Sequence, residues 1–99
     1  MYRGTALPIQ LNLDTSLNLE EAEALYVTFS NGYKKIDCGK ERVSIDGQSL
    51  IVELGQSDTL FFAPGDVEVQ VRFKMPDGRV YASDIASIDM QRILKDGVI

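Results

Sequence analysis

The stretch Val67-Glu68-Val69-Gln70-Val71-Arg72-Phe73-Lys74-Met75 alternates apolar and polar side chains without a break. Successive side chains of an extended chain point to opposite faces, so this period of two predicts a strand with one face in a core and the other in water. Met75-Pro76-Asp77-Gly78 follows it. Pro fixes φ near −65° and Gly accepts a positive φ, so the chain is expected to turn there and return through Arg79 to Ala82. Beyond Ala82 the phase slips, because Ile85 is odd while Ile88 and Met90 are even. An extra residue in a ladder shifts the phase in this way, which places a bulge between Ser83 and Ser87.

Upstream the same period recurs. Leu7, Ile9, Leu11 and Leu13 alternate with Pro8, Gln10 and Asn12. Pro8 has no N–H for a ladder, so this strand is expected at a sheet edge. Leu25, Val27 and Phe29 alternate with Tyr26, Thr28 and Ser30, and Asn31-Gly32 predicts a two-residue turn into Tyr33 to Asp37. Arg42 to Asp46 and Gln48 to Leu54 flank Asp46-Gly47 and form a second hairpin by the same logic. Helix is scarce: a single turn is expected after Asn18, and another at Ser57-Asp58-Thr59-Leu60, ended before Pro64. Seven short strands predict one all-β domain over residues 1–99, an immunoglobulin-like antiparallel β-sandwich, with a small β-barrel as the alternative. Its core is expected to hold Ile9, Leu11, Leu13, Leu25, Val27, Phe29, Val43, Ile45, Leu50, Val52, Leu54, Val69, Val71, Phe73, Ile88 and Met90.

Composition narrows the function. Ninety-nine residues suit a single domain, whose folded surface should be about 5,600 Å². The chain has no histidine, which removes Ser-His-Asp, Cys-His and zinc-histidine chemistry together. Fifteen acids against ten bases give a net charge of −5, and the bases are scattered from Arg3 to Lys95, so no nucleic-acid partner is expected. No apolar run approaches the roughly 18 residues that span a bilayer, and the first twenty residues lack the regions of a signal peptide. The expectation is no membrane partner and a chain that stays inside the cell. The single Cys38 has no disulfide partner within the chain. Its neighbour Lys40 is a cation that could activate a thiol, but without a histidine base Cys38 reads as a bystander in a loop or half-buried position. Asp46, Asp77 and Asp96 each precede glycine and read as turns, so neither a metal nor another cofactor is expected. No catalytic residue is assigned. Of the adjacent rings Phe61 and Phe62, one should close the core and one should be exposed.

Several segments carry a likeness. Tyr2-Arg3-Gly4-Thr5, Tyr26-Val27-Thr28-Phe29, Leu54-Gly55-Gln56-Ser57-Asp58-Thr59-Leu60-Phe61, Val67 to Arg72, Asp77-Gly78, Ala82-Ser83 and Ile93-Leu94-Lys95-Asp96-Gly97-Val98-Ile99 span nearly the whole chain. Together they resemble a family of small proteins encoded in prophages of Gram-positive gut bacteria. More distantly, the chain is similar to the N-terminal domain of phage baseplate upper proteins, a β-sandwich that attaches host-recognition parts to the tail. Where this chain has Leu54-Gly55-Gln56 the family usually has Leu-Thr-Gln, which bears on the local turn geometry.

The resemblance implies a non-enzymatic structural or interaction module of a phage tail or baseplate. It also implies other tail or baseplate proteins as partners, further copies of the chain in a homo-oligomer, and a place in the virion tail. The contacts are then expected from the ends, Tyr2, Arg3, Thr5, Val98 and Ile99, and from Phe62. Val98 and Ile99 would add to an exposed sheet edge. Against this stands the reading in which both ends fold back onto their own sandwich. The alternative function is a regulatory or host-directed binding protein that is encoded on the prophage.

Overall fold

Val67, Val69, Val71, Phe73 and Met75 are all buried, and the polar residues between them face outward. Their strand is the longest of the chain and lies at the centre of the larger sheet. These positions come from a computed structural model that describes residues Met1–Ile99. In chain order the elements are β1 (Leu7–Asn12), β2 (Ala24–Ser30), β3 (Lys35–Cys38), β4 (Val43–Asp46), β5 (Ser49–Leu54), α1 (Gln56–Phe61), β6 (Gly65–Lys74), β7 (Val80–Ala82) and β8 (Ala86–Met90). Single 3-10 turns at Leu19–Glu21 and Lys40–Arg42 complete the list.

The strands form two antiparallel sheets, a three-stranded one in the order β1-β5-β4 and a five-stranded one in the order β3-β2-β6-β7, with β8 also on β6. Lettered as immunoglobulin strands, these sheets read B-E-D and C′-C-F-G, with β7 and β8 sharing the place of G. The place of strand A, beside β1 in the smaller sheet, is unfilled. Instead Tyr2 makes a parallel bridge to Gln91, just past the end of β8. The fold is therefore the all-β sandwich that the alternation predicts, built from eight strands.

The extra strand comes from the bulge. Arg72 pairs with Ala82 and Val69 with Ala86, so three steps along β6 face four steps along the returning chain. Ser83 patches the gap: its N–H donates to the Val71 carbonyl at 2.8 Å and its Oγ accepts from the Val71 N–H at 3.0 Å. The one-residue slip lets Tyr81 stack on Phe73, with ring centroids 5.2 Å apart, while Ile88 and Met90 still turn inward.

Two turns differ from the sequence reading. Ser30 pairs with Lys35, so the first hairpin loop is residues 31–34, not two residues. A type I′ turn needs positive φ at both centres, and Asn31 does not adopt one. Its Oδ1 instead accepts from the N–H groups of Tyr33 and Lys34, which widens the loop. In the second hairpin Asp46 pairs with Ser49, so the central residues are Gly47 and Gln48, with Gly47 at φ +61°, as a type II′ turn requires.

The core fills the space between the sheets with Leu25, Val27 and Phe29 from β2, Leu50, Val52 and Leu54 from β5, and the inward face of β6. Full burial of each such side chain contributes about 1.5–3 kcal/mol. Ile9, Leu11, Leu13, Ile45 and Ile88 pack on this core but are only partly buried. The reason is position, because β1 and β4 are edge strands and Leu13 lies just beyond β1. Pro8 sits on β1 with its nitrogen turned outward: Leu13 N–H donates to Gln48 O, and alternation then places every even residue's amide on the free edge. No helix is long and apolar enough to cross a membrane. The folded surface is 6267 Å², above the expected 5,600 Å² or so, and the extents of 48 × 23 × 18 Å give the reason, an elongated body.

Candidate interaction surface

Both chain ends converge on α1. Arg3 lays its guanidinium across the far end of that helix, Nε donating to the Phe62 carbonyl at 2.7 Å and Nη2 to the Leu60 carbonyl at 3.0 Å. These are among the last carbonyls of a short helix, which lack partners within it, and a planar fork satisfies two at once. Thr59, fully buried, donates its hydroxyl to the Thr5 carbonyl at 2.8 Å. At the helix start Asp58 accepts from the Gly55 N–H and from Arg42, both at 2.9 Å, tying α1 to the chain just before β4. Gly4 lets the N-terminal segment pass: its φ is +73°, and a Cβ there would come within 2.9 Å of the Ile93 side chain.

The C-terminal segment closes the same end. Gln56 holds Ile99 by two bonds, its Nε2 donating to the Ile99 carbonyl at 3.0 Å and its Oε1 accepting from the Ile99 N–H at 2.8 Å. Asp96 lies 3.9 Å from Arg3. The backbone of both ends is thus folded back, as one of the two sequence readings has it. Met1 packs on the core and Ile93 is half-buried, but four other apolar side chains stay outside: Leu94 is 92% exposed, Ile99 88%, and Val98 and Tyr2 more than half. Exposed apolar groups that form a contiguous patch are the usual mark of a contact surface.

Of the expected contact residues, Tyr2, Val98 and Ile99 are exposed and lie at this end, whereas Arg3 and Thr5 serve the internal clasp. Phe62 is a correction. It is only 1% exposed and belongs to the core, so it offers nothing to a partner. The outward ring is Phe61, edge-on to Phe62 and 5.0 Å beneath the Lys34 ammonium.

Cys38 is also placed differently from the loop or half-buried position expected. It ends β3 opposite Val27 and is completely buried. Lys40 does not activate it, since its Nζ donates to the carbonyls of Glu20 and Ala22 at 2.9 and 2.7 Å. Burial pushes the thiol above its ordinary value, outweighing the opposing pull of Arg42, and Asp58, Asp37 and Glu41 push the same way. An acid whose folded pKa lies above its unfolded one stabilises fully below the unfolded value, and that stability is lost as pH rises toward the folded value. Melting temperature should therefore fall from about pH 8 to pH 10 more steeply in the native sequence than in Cys38→Ala, and parallel pH profiles would refute this. Iodoacetamide should label the folded protein far more slowly than the urea-unfolded one.

The second feature is a groove. Where strand A would lie, the sandwich is open between β1 and the β7–β8 bulge, and a cavity of about 700 Å³ enters there. Leu11 and Leu13 form one wall, Val71 and Phe73 the floor, and Tyr81 and Ile85 the other wall. Asp14 and Asp84 stand at its rim, and no Lys or Arg lines it. A shallower hollow of about 400 Å³ lies on the outer face of the larger sheet, around Tyr26, Arg72 and Val80.

Comparison with sequence families, characterised proteins and solved structures finds no match to the chain. No group of three or more His, Cys, Asp or Glu side chains is placed to hold a metal ion. Asp77 accepts from the Arg79 N–H within its turn. Nothing in the sequence pattern singled out Thr59 or Gln56, because each acts on a segment some forty or more residues away.

Proposed function

We propose that this chain is a non-enzymatic structural module of a phage or prophage tail or baseplate, working through assembly contacts with other tail proteins or further copies of itself. The observation that supports this is the clasped end. Arg3, Thr59 and Gln56 spend hydrogen bonds on fixing both ends of the chain, and the apolar side chains so fixed, Tyr2, Leu94, Val98 and Ile99, point into water. Order without burial has no benefit to the isolated domain, because ordering costs about 1–2 kcal/mol of conformational entropy per residue. A partner that covers those side chains supplies the missing gain. The likeness to prophage-encoded proteins and, more distantly, to a baseplate attachment domain supplies the setting.

Mass spectrometry of particles purified after prophage induction tests the reading. The chain should co-purify with tail proteins in a fixed ratio that survives repeated density banding. Particles that lack it overturn the assignment. The alternative, a regulatory or host-directed binding protein, draws on the hollow around Tyr26 and Arg72, and would leave the chain in the cell lysate.

A further inference from the structure

Resting on the assembly reading above, we infer that the exposed C-terminal hook of one copy, residues 92–99, seats in the β1/β7–β8 groove of a second copy, joining chains head to tail. The groove asks for apolar groups of modest size. It is the space that strand A fills in a complete sandwich, walled by Leu11, Leu13, Tyr81 and Ile85, and Ile85 is more than half exposed. The hook offers such groups in Leu94, Val98 and Ile99, the last pinned by Gln56.

Charge agrees with shape. Asp14 and Asp84 make the rim acidic with no base among the lining residues. The hook carries two bases, Arg92 and Lys95, against one acid, Asp96, which stays largely in water 3.9 Å from Arg3. Opposite charges at a rim steer the encounter and fix its direction.

The hook cannot serve its own groove. It is held beside Gln56, just past Leu54, which pairs with Leu7 at the start of β1. The groove begins at Leu11, roughly 14 Å further along the strand. A contact in which hook and groove lie on different parts of one molecule is heterologous, so copies add in series until a ring closes or a partner caps the row.

Two complementary variants test this by sedimentation velocity from micromolar to millimolar concentration. L94D/V98D removes the hook and keeps the groove; D84K/I85R blocks the groove and keeps the hook. All four positions are exposed, and melting curves check that both variants fold. The native chain should grow beyond a dimer with concentration. Each variant alone should stay monomeric, with association weakened at least tenfold, and an equal mixture should form a two-chain species and nothing larger. A native chain that stays monomeric throughout, a variant that associates alone, or a mixture that forms no pair overturns the inference. The outcomes separate from those of the preceding section: a monomer found in phage particles leaves the tail assignment standing, and a self-associating chain absent from particles leaves this inference standing.

Discussion

Phe62→Ala is expected to destabilise the domain by about 3–5 kcal/mol, and Phe61→Ala by about 1 kcal/mol or less. The two rings are adjacent in sequence and edge-on in space, 5.4 Å between centroids. Yet one is 1% exposed and the other 41%. Removing the Phe62 ring leaves a void among close-packed groups that relax only in part. Removing Phe61 costs some contact with Phe62 and the ammonium of Lys34. Small domains are stable by about 5–15 kcal/mol in all, so the first variant approaches the limit of folding. Urea unfolding of both variants settles the order, and equal or reversed costs would mean that the rings are placed wrongly.

Arg3→Ala is expected to cost about 2–3 kcal/mol, because two charge-assisted hydrogen bonds are lost and the carbonyls of Leu60 and Phe62 lose partners in a half-buried site. The loss should be local as well as global. Met1 accepts from the Gln91 N–H, and Arg3 N–H donates to the Gln91 carbonyl, so freeing Arg3 unseats the strand-like contact beside β8. Amide exchange at Gln91 and proteolysis within residues 1–6 should both quicken. Arg3→Lys keeps the charge without the fork and should recover less than half of the lost stability. An Arg3→Ala protein with native exchange at Gln91 would show that the clasp does not hold the end.

Strand positions were legible wherever one face of a strand is wet. The alternation at Val67–Met75 gave both the strand and its buried face, because each side chain's direction follows from its neighbour's. The slip near Ser83 was legible as a change of parity, which is what a one-residue bulge must produce. Leu19 and Ala22 were not legible as core, although both are buried, since they lie in a 3-10 turn and its exit where no period applies. Cys38 was hidden for another reason: the expected strand stops at Asp37, whereas β3 runs one residue further and sets Cys38 opposite Val27 on the inward face. At the clasped end the likeness drew attention to the right segments but not to their roles. That Arg3 grips the carbonyls of Leu60 and Phe62 depends on backbone atoms, which are the same for every residue type and leave no mark on a sequence.

The contact of Met1–Arg3 with Gln91 has a consequence for synthesis. Those residues are made roughly ninety residues ahead of their partner. β1 likewise waits for β5, some forty residues behind it. Pairings between distant segments form slowly, and the unfinished chain meanwhile exposes its edges. A product broken off before Gln91 lacks the partner for Met1–Arg3, so the cell's proteases meet that segment unpaired.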